Sequence, residues 1–222
     1  MSITIKMFKN FLVICLFFVI SVVNFITSKS YANSKENEKL DLSSYKADLL
    51  QIENYLNNIT HLSADFVQEL DNQKTEGKFY LSRNGKKAGK MRIEYLDKPK
   101  ILVVVNGPVL HYQDIELDEI SSISTNVTPA SFLTRPKISF NATDIKITNI
   151  NSSSNEIEVS VIKKNRPDAG EFTLIFSKNP WQFIKMQVKN ELEQKITVYL
   201  NNIKFNENPN SLFIIKSEEN ST

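Results

Sequence analysis

From residue 61 onward the chain is written in short stretches whose side chains alternate between apolar and polar, each closed by Gly, Asn or Pro. Leu62, Ala64 and Phe66 alternate with polar neighbours, and "KFYLSR", "KMRIEYL", "KILVVV" and "VLHYQDI" follow. After an interruption come "EIEVSVIKK", "EFTLIFSK", "QFIKMQVKN", "KITVYLNNIKF" and "LFIIK", joined by turn sequences such as "KNRPDAG" and "SKNP". A period of two places successive side chains on opposite faces of a strand, and close-set strands with turns between them fold as an antiparallel meander. The expected fold class is therefore mainly β with a few helices.

Two helices interrupt that pattern. Tyr45, Leu49, Ile52, Leu56 and Ile59 recur at helical spacing behind Asp41 and Ser43, which are candidate caps. The interruption itself, Ser122 to Phe140, contains "TPASFL": Thr128 suits a cap, Pro129 a first helical position, and Ala130, Phe132 and Leu133 an apolar surface before Pro136 ends the element. Together they suffice to cover one face of a large curved sheet.

The N-terminus carries an address. Lys6 and Lys9 precede the apolar run Phe11–Ile26, and Ser30 and Ala32 put small residues at −3 and −1 of a cleavage site. This predicts a signal peptide over 1–32, cut after Ala32, and a single domain over 33–222. A retained anchor is the alternative, for which the run is short. Cys15 lies inside that run behind Val13 and Ile14, where lipoprotein processing needs small residues, so it leaves with the signal. Removing 1–32 takes away Lys6, Lys9 and Lys29 and no acid, leaving 24 basic against 25 acidic residues. That balance gives no electrostatic footprint for nucleic acid. With no cysteine left, an exported domain must rest on a packed core.

Catalytic readings fare poorly. His61, Ser63 and Asp65 share a strand face and supply the residue types of a serine hydrolase, but nothing supplies an oxyanion hole. They read as the wet face opposite Leu62, Ala64 and Phe66. "GKKAGK", Gly85 to Lys90, is one residue short of a phosphate loop, has Met91 where Ser or Thr should stand, and leads into a strand, so it reads as a hairpin turn. His61 and His111 are the only histidines, and no His or Cys pair has ligand spacing for zinc. The expectation is no enzyme, no metal and no cofactor.

Several blocks in order, "GKFYLSR…GKMRIEYLDKPKILVVVNG", "TPASFL" and "NRPDAGEFTLIFSKNPWQFIKMQVKNELEQKITVYLNNI", closely resemble the LolA family of periplasmic outer-membrane lipoprotein carriers, in its alphaproteobacterial form. The resemblance runs from about Tyr45 to Ile215. It implies an open, incomplete antiparallel barrel whose concave apolar face is covered by helices, with the acyl chains of a lipoprotein bound between. Phe66, Phe79, Leu81, Met91, Ile93 and Tyr95 would line that chamber, with Phe132 and Leu133 from the short helix. From strand parity alone these side chains suit an ordinary core equally well, since both faces of a covered sheet bury apolar residues.

Arg83 shares the parity of the apolar set and matches the family's cavity-facing arginine, which ties the covering helices to the barrel through main-chain carbonyls. A guanidinium carries only donors and needs such acceptors when buried. Where the family continues with proline and a shorter turn, this chain has "NGKKAGK". The implied function is a monomeric periplasmic chaperone loaded by an inner-membrane ATP-driven transporter and unloaded at an outer-membrane acceptor or the membrane itself. The alternative is a lipid- or lipoprotein-sensing module of the same fold.

Overall fold

The computed structural model describes residues 41–128, 130–190, 194–205 and 213–214. The signal peptide and its cleavage site lie outside them, as does Pro129. Among the described residues eleven strands form one antiparallel sheet: β1 (His61–Leu70), β2 (Gln73–Ser82), β3 (Lys90–Tyr95), β4 (Ile101–Asn106), β5 (Val109–Asp114), β6 (Glu119–Ser124), β7 (Ile145–Ser152), β8 (Glu156–Lys163), β9 (Glu171–Lys178), β10 (Trp181–Lys189) and β11 (Lys195–Phe205). Their order is β6-β5-β4-β3-β2-β1-β11-β10-β9-β8-β7. Two meanders are thus spliced where the first strand pairs with the last, and β6 and β7 remain as the two edges of an open sheet. Register shifts between Ser63 and Asp65, Phe183 and Lys185, and Ile147 and Asn149 mark bulges. Bulges sharpen the local twist and help bend a sheet of this width.

Alternation puts one row of side chains inward. β1 is buried at every second residue from Leu62 to Leu70, and opposite partners continue the row: Phe66 faces Leu200, Phe79 faces Ile93, Met91 faces Val105 and Leu174 faces Met186. These join one apolar core with Leu49, Ile52 and Leu56 of helix α1 (Lys46–Asn58). The caps expected for α1 open a 3-10 turn, Ser43–Tyr45, instead: Asp41 Oδ1 accepts the Ser43 N–H at 2.9 Å, and no side chain caps the α-helix proper. The second helix, α2 (Ala130–Leu133), is a single turn. The Thr128 hydroxyl donates to the Thr125 carbonyl at 2.9 Å, and the Thr128 carbonyl accepts from Ser131 Oγ at 2.8 Å. Among the described residues no helix is long and apolar enough to cross a membrane.

Candidate functional site

The interior wall of the first meander is built by the β2–β3 hairpin. Its register sets Gly77 opposite Tyr95, Phe79 opposite Ile93 and Leu81 opposite Met91, and the longer turn "NGKKAGK" leaves that pairing unbroken. Phe66, Phe79, Leu81, Arg83, Met91, Ile93, Tyr95, Phe132 and Leu133 are all buried. The Phe66 and Tyr95 rings meet edge to face at 5.4 Å. That contact depends on Gly77: a Cβ there would lie 2.4 Å from the Phe66 ring and 2.2 Å from the Glu94 carbonyl oxygen.

Sequence reading missed Gln68. It keeps the inward parity of Leu62, Ala64 and Phe66, is buried, and accepts a hydrogen bond from the Tyr95 hydroxyl at 2.8 Å. Both line a small cavity of about 10 Å³ with Phe66, Phe79, Ile93, Met186 and Val198. A second, of about 20 Å³, lies beneath α2 among Thr128, Ser131, Phe132, Val161, Lys163 and Phe172. Each is below the roughly 300–1,000 Å³ of ordinary small-molecule sites. Around both, the interior is packed in this conformation, and a ligand with several acyl chains enters there only if the cover moves.

The cover is fastened by polar groups. Arg83 follows β2 with its side chain 5% exposed; Nη1 donates to the Leu133 carbonyl at 2.6 Å, and Nη2 to Asn57 Oδ1 at 3.2 Å and the Pro136 carbonyl at 3.4 Å. Burial lowers its pKa to about 10. Nε is buried without a hydrogen-bond partner, and among the described residues no carboxylate forms an ion pair with this cation.

Three further fasteners were not read from the sequence. Asn57, in the last turn of α1, holds Ile138 from both sides: Oδ1 accepts its N–H at 2.9 Å and Nδ2 donates to its carbonyl at 2.8 Å. One helical turn earlier, Glu53 Oε1 accepts the Phe140 N–H at 2.6 Å and the Ser139 hydroxyl at 3.2 Å. The Gly89 N–H donates to the Thr134 carbonyl at 2.6 Å, and a Cβ at Gly89 would stand 3.3 Å from Thr134 Cα. The only available signal was the i, i+4 placement of Glu53 and Asn57 on one helix face. On the second meander, Arg135 forms a two-point ion pair with Asp144 and stacks its guanidinium 5.8 Å from the Phe132 ring centre. The same ring contacts Phe140 and Phe172.

The hydrolase triad is not assembled. Asp65 gives its oxygens to Asn202 at 2.8 Å and Lys78 at 3.4 Å, so it does not orient His61. The face is also drier than expected at one end, since His61 Nδ1 is buried without a hydrogen-bond partner while the Asp65 side chain is 47% exposed. Among the described residues no group of three or more His, Cys, Asp or Glu could hold a metal ion.

The family model for outer membrane lipoprotein carrier protein LolA matches residues 57–216. No curated protein matches the chain. An uncharacterized conserved protein from Thermus thermophilus is 10% identical, with 78% of this chain and 94% of that one covered and a TM-score of 0.47. A putative outer membrane lipoprotein-sorting protein domain from Vibrio parahaemolyticus is 8% identical over 74% of this chain and 94% of that one, with a TM-score of 0.47. The Pseudomonas aeruginosa MucA/MucB complex gives 14% identity over 73% of this chain and 58% of that one, with a TM-score of 0.40. The family match begins at Asn57 and includes Arg83, Gly89, the short helix and the whole sheet.

Proposed function

The chain belongs to the LolA family, and from that premise we propose that it is a periplasmic carrier that takes the acyl chains of lipoproteins leaving the inner membrane and delivers them to the outer membrane. The observation that carries this reading is the family match across residues 57–216, the span that builds the whole sheet, Arg83 and the short helix. A closed apolar chamber with a cover held by hydrogen bonds supports it. Each acyl methylene is worth about 0.8 kcal/mol of burial, so a lipoprotein with several chains does not leave a bilayer unaided. A soluble carrier must offer comparable apolar surface, yet bind weakly enough to let go.

The polypeptide, on this reading, supplies the chamber and not the energy. An inner-membrane ATP-driven transporter loads it, and an outer-membrane acceptor or the membrane itself unloads it. It acts without cofactor and without catalysis, as a monomer of one domain, after export and removal of residues 1–32. The alphaproteobacterial form of the family remains the subtype its sequence blocks resemble. Mass spectrometry of the protein purified from envelope extract tests the proposal. Co-purified triacylated lipoprotein is the expected result, and a preparation carrying only free phospholipid or no lipid under gentle extraction would contradict it.

A further inference from the structure

Residues 115–118, Ile-Glu-Leu-Asp, form the turn from β5 into β6, which opens with Glu119 and Ile120, and all six side chains are exposed. Ile115, Leu117 and Ile120 are 51%, 54% and 42% exposed, and Leu96 of the β3–β4 turn is 52% exposed. The two turns form one corner. The Ile115 N–H donates to the Lys100 carbonyl at 3.0 Å, and Lys98 Nζ lies 3.7 Å from Glu116 Oε1. Ile120 pairs with Gln113 on the free edge of the sheet. Surface apolar residues scattered singly need no explanation, but four large ones gathered at one corner mark a contact surface.

The corner stands apart from the latch. Arg83 and Gly89 sit at the end of the hairpin where Ser82 faces Lys90, whereas Leu96 follows Tyr95 at the far end of β3. Six residues of strand separate the two ends, roughly 20 Å. Tyr95 also lines the interior cavity, so the corner adjoins the chamber wall.

Charge selects the occupant. Asp97, Glu116, Asp118 and Glu119 are exposed around the apolar side chains, against Lys98 and Lys100. A second copy docked by twofold symmetry would bring acid onto acid. An anionic lipid surface would be repelled for the same reason. We propose that this corner docks a segment of a partner protein that is apolar and basic, its lysines or arginines meeting the acids of residues 116–119. Because β6 is an edge strand, the same segment reaches unpaired main-chain groups beside Ile120. The proposal does not depend on which cargo the chamber holds.

The test places a photo-crosslinking amino acid at Leu96 or Leu117 of the full-length protein in cells that export it, with Leu50 of α1, also exposed, as control. Mass spectrometry then identifies the partner segment. The expected result is one apolar segment of net positive charge, reached from Leu96 and Leu117 and not from Leu50. Reversing the acids, Glu116→Lys with Asp118→Lys and Glu119→Lys, should lower the yield by roughly tenfold. The neutral set Glu116→Gln, Asp118→Asn and Glu119→Gln should lower it by a smaller factor, and decides the question if the reversed variant melts early. Crosslinks to phospholipid, to a second copy of the chain or to an acidic segment would overturn the proposal. So would yields that both variants leave unchanged, or silence at both positions.

Discussion

Arg83 is a buried cation held by oxygens that carry no full charge. Its depressed pKa, about 10, expresses the hydration it has lost, which carbonyl dipoles and one amide oxygen replace only in part. Folded and unfolded chains both keep the guanidinium protonated below that value, so the burden on stability is constant there and eases only above it. The latch is therefore no pH switch between pH 6 and 9, and its strength is set by geometry. A cation that regains water on opening makes a closed state that is easily undone. Arg83→Leu removes the buried charge and leaves the Leu133 and Pro136 carbonyls without their donor. The variant should keep cargo through the added apolar contact and fail to hand it over, losing most transfer from loaded carrier to outer-membrane vesicles. Transfer at the wild-type rate would remove the latch from the account.

Among the elements, those with an apolar face were legible and those without one were not. The sheet interior and α1 announce themselves because burial demands a period, and Arg83 was visible because it put a charge on the apolar parity and matched the family's arginine. β6 and β7 were missed. β6 is exposed at five of its six residues, and "IKITNINS" of β7 has few buried side chains, because an edge strand pairs on one side only and has little packing to record. Gln68 was missed for the opposite reason, a polar residue at an inward position whose partner, Tyr95, lies two strands away. Beyond Pro136 as a helix stop, the segment 134–140 carried no readable signal, since the bonds that hold Ile138 and Phe140 come from Asn57 and Glu53, more than 80 residues earlier. Asn57→Ala removes both bonds to Ile138 and should speed exchange of the Ile138 amide hydrogen by at least roughly tenfold, as expected for loss of one local hydrogen bond or more. The Ile93 amide, inside the sheet, should keep its protection. Equal acceleration at both sites would mean that Asn57 supports the whole fold and not the cover.

At the scale of the molecule, two meanders spliced at β1 and β11 give a curved sheet with one apolar face, and a cover fastened at several points seals it. The arrangement suits the proposed exchange, in which acyl chains replace that internal packing. Its wall is sided. Met91, Ile93 and Tyr95 point inward, while Arg92 and Glu94 face outward as an ion pair at 2.5 Å. A carboxylate at position 93 would stand unpaired in apolar surroundings, which costs a few kcal/mol or forces protonation. The direct measurement is release of a triacylated lipoprotein from spheroplasts into the soluble fraction by added carrier, with circular dichroism confirming that each variant is folded. Wild type should carry the lipoprotein off. Ile93→Glu should release almost none, and the triple variant His61→Ala, Ser63→Ala and Asp65→Ala should release nearly as much as wild type. If Ile93→Glu releases lipoprotein while the triple variant does not, the concave face is not the binding surface and the account is contradicted.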